Sequence, residues 1–461
     1  MTDILIKNGL VVTIDAQRRI IRDGAVAIEG NTIRAVGKTA EVEASCGKAG
    51  RVIDATNRVV CPGFVDAHLH VSNEGPKGYI PKDIAAYPWV MDWVVPINSI
   101  MTEEDEYVLS KVVLTEALRT GTTTFFEAGT TKYPAAVAKA VEEIGIRGVV
   151  GKFTWDVPRE PAVMRQTTKE ALRSVEEVVK TYHGKLGGRL SAWVSILGSE
   201  TQSDELLKGA KALADEMGVG VNMHQSTTEG EVEEFVRNKG KRPIEHFEDL
   251  GVLGPNLRLI HMVDVSNREI ELLAKYDVKI VNCVTTGLNL GYGVTAIGRF
   301  PEMLAKGVCV ALGCDGPNCS NTMDMGRAIF LAAGLYKDCR RDTSLVSPEK
   351  AWEMGTLDAA RSMLMEDQIG SLEVGKKADV ILFDRTRPEW YPMLNVVSNM
   401  VFGADGKSVE TVIVDGKVVV ENGKLLAYDE GALFEEMEAI DWEKKIGGAL
   451  GLRPASTWPV V

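Results

Sequence analysis

His68 and His70 stand two apart in "DAHLH", directly after the apolar run "RVVCPGFVDA". On a strand, the two-residue repeat points both imidazoles to one side and Leu69 to the other. His224 and His261 lie at the ends of two later runs, "VGVNMHQ" and "LRLIHMV", and Asp315 closes a third, "VCVALGCD". Imidazoles and a carboxylate, with room for a water, are what a catalytic divalent metal needs. Taken singly, each histidine also reads as an ordinary polar residue on a strand rim. Their distribution argues otherwise, because four of the chain's six histidines fall at such ends. The other two, His183 in "TYHGK" and His246 in "IEHFED", sit on polar helical stretches and read as solvated.

Eight β-rich runs would position these groups: "RVVCPGFVDA", "TTTFFEAG", "RGVVGKF", "RLSAWVSIL", "VGVNMHQ", "LRLIHMV", "VKIVNCV" and "VCVALGCD". Helical patterns such as "YPAAVAKAVEEIG", "TKEALRSVEEVVKTY" and "SDELLKGAKALADEM" separate most of them, the signature of βα units around a parallel sheet. Eight units over roughly 300 residues point to an α/β fold of the (β/α)8 TIM-barrel type, usually about 250 residues before insertions. In such a barrel the C-terminal strand ends converge on one mouth, where chemistry is sited.

Shorter strands broken by "NG", "DG" and "EGN" turns fill the N-terminal stretch, and the same texture returns in "ADVILFD" and "VETVIVDGKVVVENGKLL". These pieces are expected to pair into one small β-sandwich built from both chain termini. The expected division is 1–59 for the first part of the sandwich, 60–367 for the barrel, 368–428 for the second part, and 429–461 for a C-terminal helix and extended tail packed on the barrel or a second subunit.

With 45% hydrophobic and 25% charged residues, the 461-residue chain has the profile of a soluble globular protein. A formal charge of −13 argues against a nucleic-acid partner, since phosphate binding needs a basic face. There is no long apolar run, and "MTDILIKNG" is no signal peptide, so neither a membrane nor export is expected. Seven cysteines without paired spacing read as reduced cytoplasmic thiols. The partner implied is a small-molecule substrate.

The runs "PGFVDAHLH", "TEALRTGTTTFFEAG", "GCDG" and "GSLEVGKKADVILFD" followed by "VIVDGKVV" resemble the amidohydrolase superfamily. More narrowly, they resemble its branch of triazine hydrolases, guanine and cytosine deaminases and adenosylhomocysteine deaminases. The resemblance runs from about residue 3 to residue 428. It implies one divalent ion, Zn, Co, Fe or Mn, held by His68, His70, His224 and Asp315. It further implies that Asp315 accepts the proton of the attacking water and returns it to the leaving group, while His261 orients and polarises. A homo-oligomer, dimer or larger, is the usual state for such barrels. Two-metal relatives bridge their ions with a lysine ending the fourth strand; "RLSAWVSILGSE" has none, which implies a single-metal site, and Lys152 on the third strand reads as structural or substrate-facing.

The chain departs from the deaminase pattern. Where those enzymes carry a glutamate three residues after the fifth-strand histidine, this chain has Thr227, whose hydroxyl is far too weak an acid to protonate a ring near neutrality. Glu229 and Glu231 lie nearby on the following helix and read chiefly as first-turn acids. Leu197 replaces a polar residue of the fourth strand, and Asp264 stands where a second sixth-strand histidine is usual. The loop "GYIPKDIAAYPWVMDWVVP" supplies Tyr79, Tyr87, Trp89, Met91 and Trp93, and Trp155 follows the third strand, together an apolar lid. Trp89, Trp93, Trp155, Thr227 and Leu197 are the expected substrate contacts. These departures favour a neutral, fairly apolar urea, carbamate or thiocarbamate cleaved at a C–N or C–S bond, as in relatives that degrade herbicides. The alternative is an aminohydrolase or chlorohydrolase of an aminated heterocycle such as a triazine, purine or pyrimidine.

Overall fold

The computed structural model describes residues 2–129, 131–152, 154–157, 162–454 and 458. Parts of the run "RGVVGKF" and of the extended tail therefore lie outside the described residues. The eight barrel strands are Phe64–Leu69, Thr122–Glu127, Arg147–Val150, a fourth split into Leu190–Ala192 and Val194–Gly198, then Val221–Gln225, Leu257–His261, Lys279–Asn282 and Val310–Leu312. All neighbours pair in parallel. A bridge between Leu69 and Asp315 joins the last strand to the first and closes the cylinder. The fourth strand breaks at Trp193, so that one half pairs with the third strand and the other with the fifth.

Between the strands run the expected helices, among them Pro134–Ile144, Thr168–Tyr182 and Asp204–Met217. Local sequence starts them: Thr167 and Glu170 form a reciprocal capping box, and Ser203 caps the next helix through the N–H of Leu206. Barrel and helices share one apolar core that includes Phe125, Ile196, Met223, Ile260 and Leu312, all fully buried.

Both chain termini build a single nine-stranded sheet. Its path runs Lys424–Leu425, Lys417–Glu421, Val409–Val414, Val380–Asp384, Arg58–Pro62, Ile4–Val12, Ile20–Glu29 and Thr32–Lys38, with Arg51–Asp54 also paired to Ile4–Val12. Ile6, Val11, Ile28 and Val60 from the N-terminal part share a core with Val380, Leu382 and Ile413 from the C-terminal part. The run "RVVCPGFVDA" is thus two strands: Arg58–Pro62 belongs to this sheet, and the barrel begins only at Phe64.

Residues expected to form one C-terminal helix instead give the helix Glu430–Glu438 and a π-helical turn, Glu443–Gly447. This segment packs on the barrel: Arg119 pairs with Glu430 at 2.7 Å, and the Tyr79 hydroxyl donates to the Leu452 carbonyl at 3.0 Å. All seven cysteines are free. Among the described residues, no helix is long and apolar enough to cross a membrane.

Candidate active site

The barrel brings His68, His70, His224, His261 and Asp315 to its C-terminal mouth. Nε2 of His70 lies 3.1 Å from Oδ1 of Asp315, and Nε2 of His68 lies 3.5 Å from the same oxygen. Nε2 of His261 is 3.9 Å from the other carboxylate oxygen. The His70 and His224 rings are stacked at 5.5 Å, and the His68 ring stands edge-on to both. Asp315 lies beyond its strand and is placed by its N–H, which donates to the His68 carbonyl at 2.8 Å. Nδ1 of His224 donates to the Leu197 carbonyl at 2.7 Å, leaving Nε2 as the lone-pair nitrogen facing the cluster. Gly198 permits that approach, since a Cβ there would fall 2.0 Å from the His224 carbonyl oxygen.

The protonation states suit a metal. Burial lowers His68 and His224 to about 3 and His261 to about 4, so all three imidazoles are neutral near pH 7, as ligation by His68 and His224 requires. His70 differs: burial disfavours its charge, but its hydrogen bond to Asp315 outweighs this and raises it. Burial works against the Asp315 anion too, and the neighbouring imidazoles of His68 and His70 overcome it, holding the carboxyl well below its ordinary range. His68 is fully buried, and neither ring nitrogen has a hydrogen-bond partner among the described residues. A buried polar group without a partner is costly, and coordination to a cation removes that cost. The His and Asp groups are thus able to hold a single divalent metal.

A cavity of about 270 Å³ opens from this cluster. Trp89, Val90, Met91, Val94, Val95 and Leu197 supply its apolar side, and Thr227, Glu231 and Tyr292 are among its polar groups. Two expected contacts are corrected. Trp93 packs against the barrel core, because the π-helical turn Trp89–Val94 gives the cavity side to Trp89, Val90, Met91 and Val94. Trp155 is buried behind the lid, against Val95 and Leu197. Lys152 is not among the lining residues, Asp264 pairs with Arg242 at 3.1 Å, and His246 pairs with Asp204 at 3.0 Å rather than being free in solvent.

Glu231 carries more than its place in a helix first turn suggests. Its carboxylate accepts the N–H of Ser226 at 2.7 Å and of Thr227 at 3.0 Å, so a carboxyl stands directly beside the threonine. Burial pushes this carboxyl up, against the lowering effect of those donors. Glu74, four residues after His70, was not expected at all; it is 2% exposed, lines the cavity, and lies in one cluster with His70 and Asp315. Beneath the site, Arg258 stacks over Phe126 and donates to Asn222, and burial lowers it to about 9.

Residues 59–419 match the amidohydrolase family. The chain is 34% identical over 427 residues, 93% of its length and 96% of the relative's, to a 5-methylthioadenosine/S-adenosylhomocysteine deaminase of Thermoanaerobacter pseudethanolicus. It is 33% identical over 419 residues, 91% and 94% of the two lengths, to a 5'-deoxyadenosine deaminase of Methanothermobacter thermautotrophicus. Among solved structures, a zinc-bound adenosine deaminase of Xanthomonas campestris superposes with a TM-score of 0.89 at 26% identity, covering 97% of this chain and 99% of that one. An atrazine chlorohydrolase of Arthrobacter aurescens in complex with zinc shares the fold, with a TM-score of 0.87 at 20% identity over 95% and 99% of the two chains.

Proposed function

Because this chain belongs to the amidohydrolase family, we propose that it is a metal-dependent aminohydrolase that releases ammonia from an aminated heterocycle, in the range of 5'-modified adenine nucleosides. The names of the full-length relatives support this reading over hydrolysis of a urea or carbamate. One structural observation carries it: the carboxyl of Glu231 in the cavity, beside Thr227. Deamination of such a ring needs a proton delivered to the ring nitrogen while water attacks the adjacent carbon. Thr227 cannot supply it, whereas a carboxyl raised by burial holds a proton closer to neutral pH.

His68, His70, His224 and Asp315 would hold a divalent ion, which would supply a water acidified enough to attack near neutral pH. The Asp315 carboxylate would carry a proton from the attacking water to the leaving nitrogen. His261 directs its Nε2 toward the Asp315 carboxylate and orients the reacting oxygen. Trp89, Met91 and Val95 exclude bulk water and receive a planar ring. The seven free thiols support a cytoplasmic setting.

A second reading, hydrolysis of a neutral urea, carbamate or thiocarbamate, is favoured by Thr227 itself, since a carbonyl substrate needs no ring protonation. The deciding experiment incubates zinc-loaded enzyme with 5'-deoxyadenosine, methylthioadenosine, a triazine panel, phenylureas and thiocarbamates and identifies both products. Ammonia from an aminated ring supports the proposal. Amine or thiol release from the ureas or thiocarbamates alone overturns it.

A further inference from the structure

Glu74 and Asn318 adjoin the metal-binding cluster but have no part in the chemistry above. Glu74 is 2% exposed and Asn318 is fully buried. The Glu74 carboxylate accepts the backbone N–H of Asn318 at 2.5 Å and of Cys319 at 3.2 Å. In return, Nδ2 of Asn318 donates to the carbonyls of Glu74 and Pro76, each at 2.8 Å. Oδ1 of Asn318 accepts the N–H of Gly78 at 2.8 Å and of Ile80 at 3.4 Å. The loop after the first barrel strand is thereby fastened to the loop after the eighth.

Asp315 sits within this arrangement at φ +67, a left-handed conformation that is sterically costly for a residue with a Cβ. Such backbones persist only where the surroundings over-determine them. The next residue is Gly316, and a Cβ there would fall 1.8 Å from Oε1 of Glu74. The glutamate therefore packs against the peptide that follows the aspartate, and only glycine leaves it room. Beyond Gly78 the same loop continues into Tyr79, bonded to Leu452, and then into the lid residues Trp89 and Val95.

We propose that Glu74 and Asn318 are positioning residues for Asp315. Their clamp holds the aspartate in its left-handed conformation and fixes the start of the lid to the same loop, so that metal-binding geometry and the cavity roof are set together. The role rests on Asp315 being a metal ligand and is independent of which C–N bond is cleaved.

The test measures zinc affinity by competition with a chromophoric chelator, together with the cobalt(II) absorption spectrum, in Glu74→Gln, Glu74→Ala and Asn318→Ala. Glutamine keeps a carbonyl oxygen for the two N–H donors and gives up only the charge. Glu74→Ala and Asn318→Ala are expected to weaken zinc binding about 10–100-fold and to alter the cobalt spectrum, while Glu74→Gln loses under about tenfold and keeps the wild-type spectrum. Wild-type affinity in both alanine variants overturns the proposal. So does a Glu74→Gln protein as weak as Glu74→Ala, which would make the charge itself the active feature. If Glu74→Ala fails to fold, Asn318→Ala set against Glu74→Gln decides alone. Since zinc is read without turnover, failure here leaves the proposed reaction untouched, and the reverse holds as well.

Discussion

Arg147, on the third barrel strand, grips Asp379, at the start of the terminal sheet's second half, through two bonds of 2.8 and 3.1 Å. The two side chains are 1% and 4% exposed. Asp415 adds a contact to the same guanidinium at 2.9 Å. Burial works against the arginine's charge, and the two carboxylates overcome it and hold the group above its ordinary value. This cluster is a buried polar fastening between barrel and sheet. Removing one partner leaves a buried charge short of compensation, so Asp379→Ala should lower stability by about 3–5 kcal/mol. A urea-unfolding midpoint unchanged from wild type would show the fastening to be ornamental.

Metal dependence is the next expectation. Dialysis against a chelator should abolish turnover, and added zinc should restore it. Asp315→Asn should keep the fold, because Asn can still accept the Gly316 N–H, yet leave less than about a tenth of the activity. His68→Ala should hold metal below stoichiometry, read by elemental analysis. Full occupancy in that variant would remove His68 from the ligand set.

Metal uptake should release few protons. At pH 6, His68, His224 and His261 are already neutral, being lowered to about 3, 3 and 4. His70 alone is raised, so it is protonated in the metal-free protein below its shifted value and must lose that proton to bind. Calorimetry of zinc binding at pH 6, in buffers of differing ionisation enthalpy, should therefore report about one proton released per ion. A value near three would mean that the other imidazoles are charged and that burial does not govern them.

If Glu231 delivers the ring proton, Glu231→Gln should cut kcat by about 10²–10⁴ on an aminated ring while zinc affinity stays at the wild-type level. The basic limb of the wild-type pH–rate profile should lie above the ordinary glutamate range, since burial raises the group and activity falls once it deprotonates. A Glu231→Gln enzyme within twofold of wild type, on about the scale of kinetic error, would assign ring protonation elsewhere. Thr227→Glu places a second carboxyl in the cavity and should raise ammonia release from the same substrates.

The gathering of four histidines with Asp315 was legible in the sequence because the C-terminal ends of a parallel barrel's strands converge on one mouth. The first barrel strand was not. "RVVCPGFVDAHLH" reads as continuous, but a Cβ at Gly63 would lie 2.2 Å from Thr123, and the chain passes between two sheets at that glycine. Aromatic count in the lid likewise does not reveal which rings face inward, since a π-helical turn follows neither the strand nor the α-helix period. Glu231 sits at the wrong spacing for the missing glutamate; a helix start that folds back on residues 226 and 227 brings it there, which no linear motif expresses. Glu74 carried a signal, an acid close behind the paired histidines, that composition alone would not separate from a surface residue.

The nine-stranded sheet draws its neighbours from opposite ends of the chain: Cys61 lies against Ile381, and Val60 against Leu382. During synthesis the strand Arg58–Pro62 therefore emerges with one flank bare and waits more than three hundred residues for its mate. Through that interval the nascent protein carries an open, apolar β edge of the kind that invites association with other chains. Slow elongation or truncation ahead of Val380 should accordingly send the polypeptide into insoluble material, whatever the soundness of the barrel between.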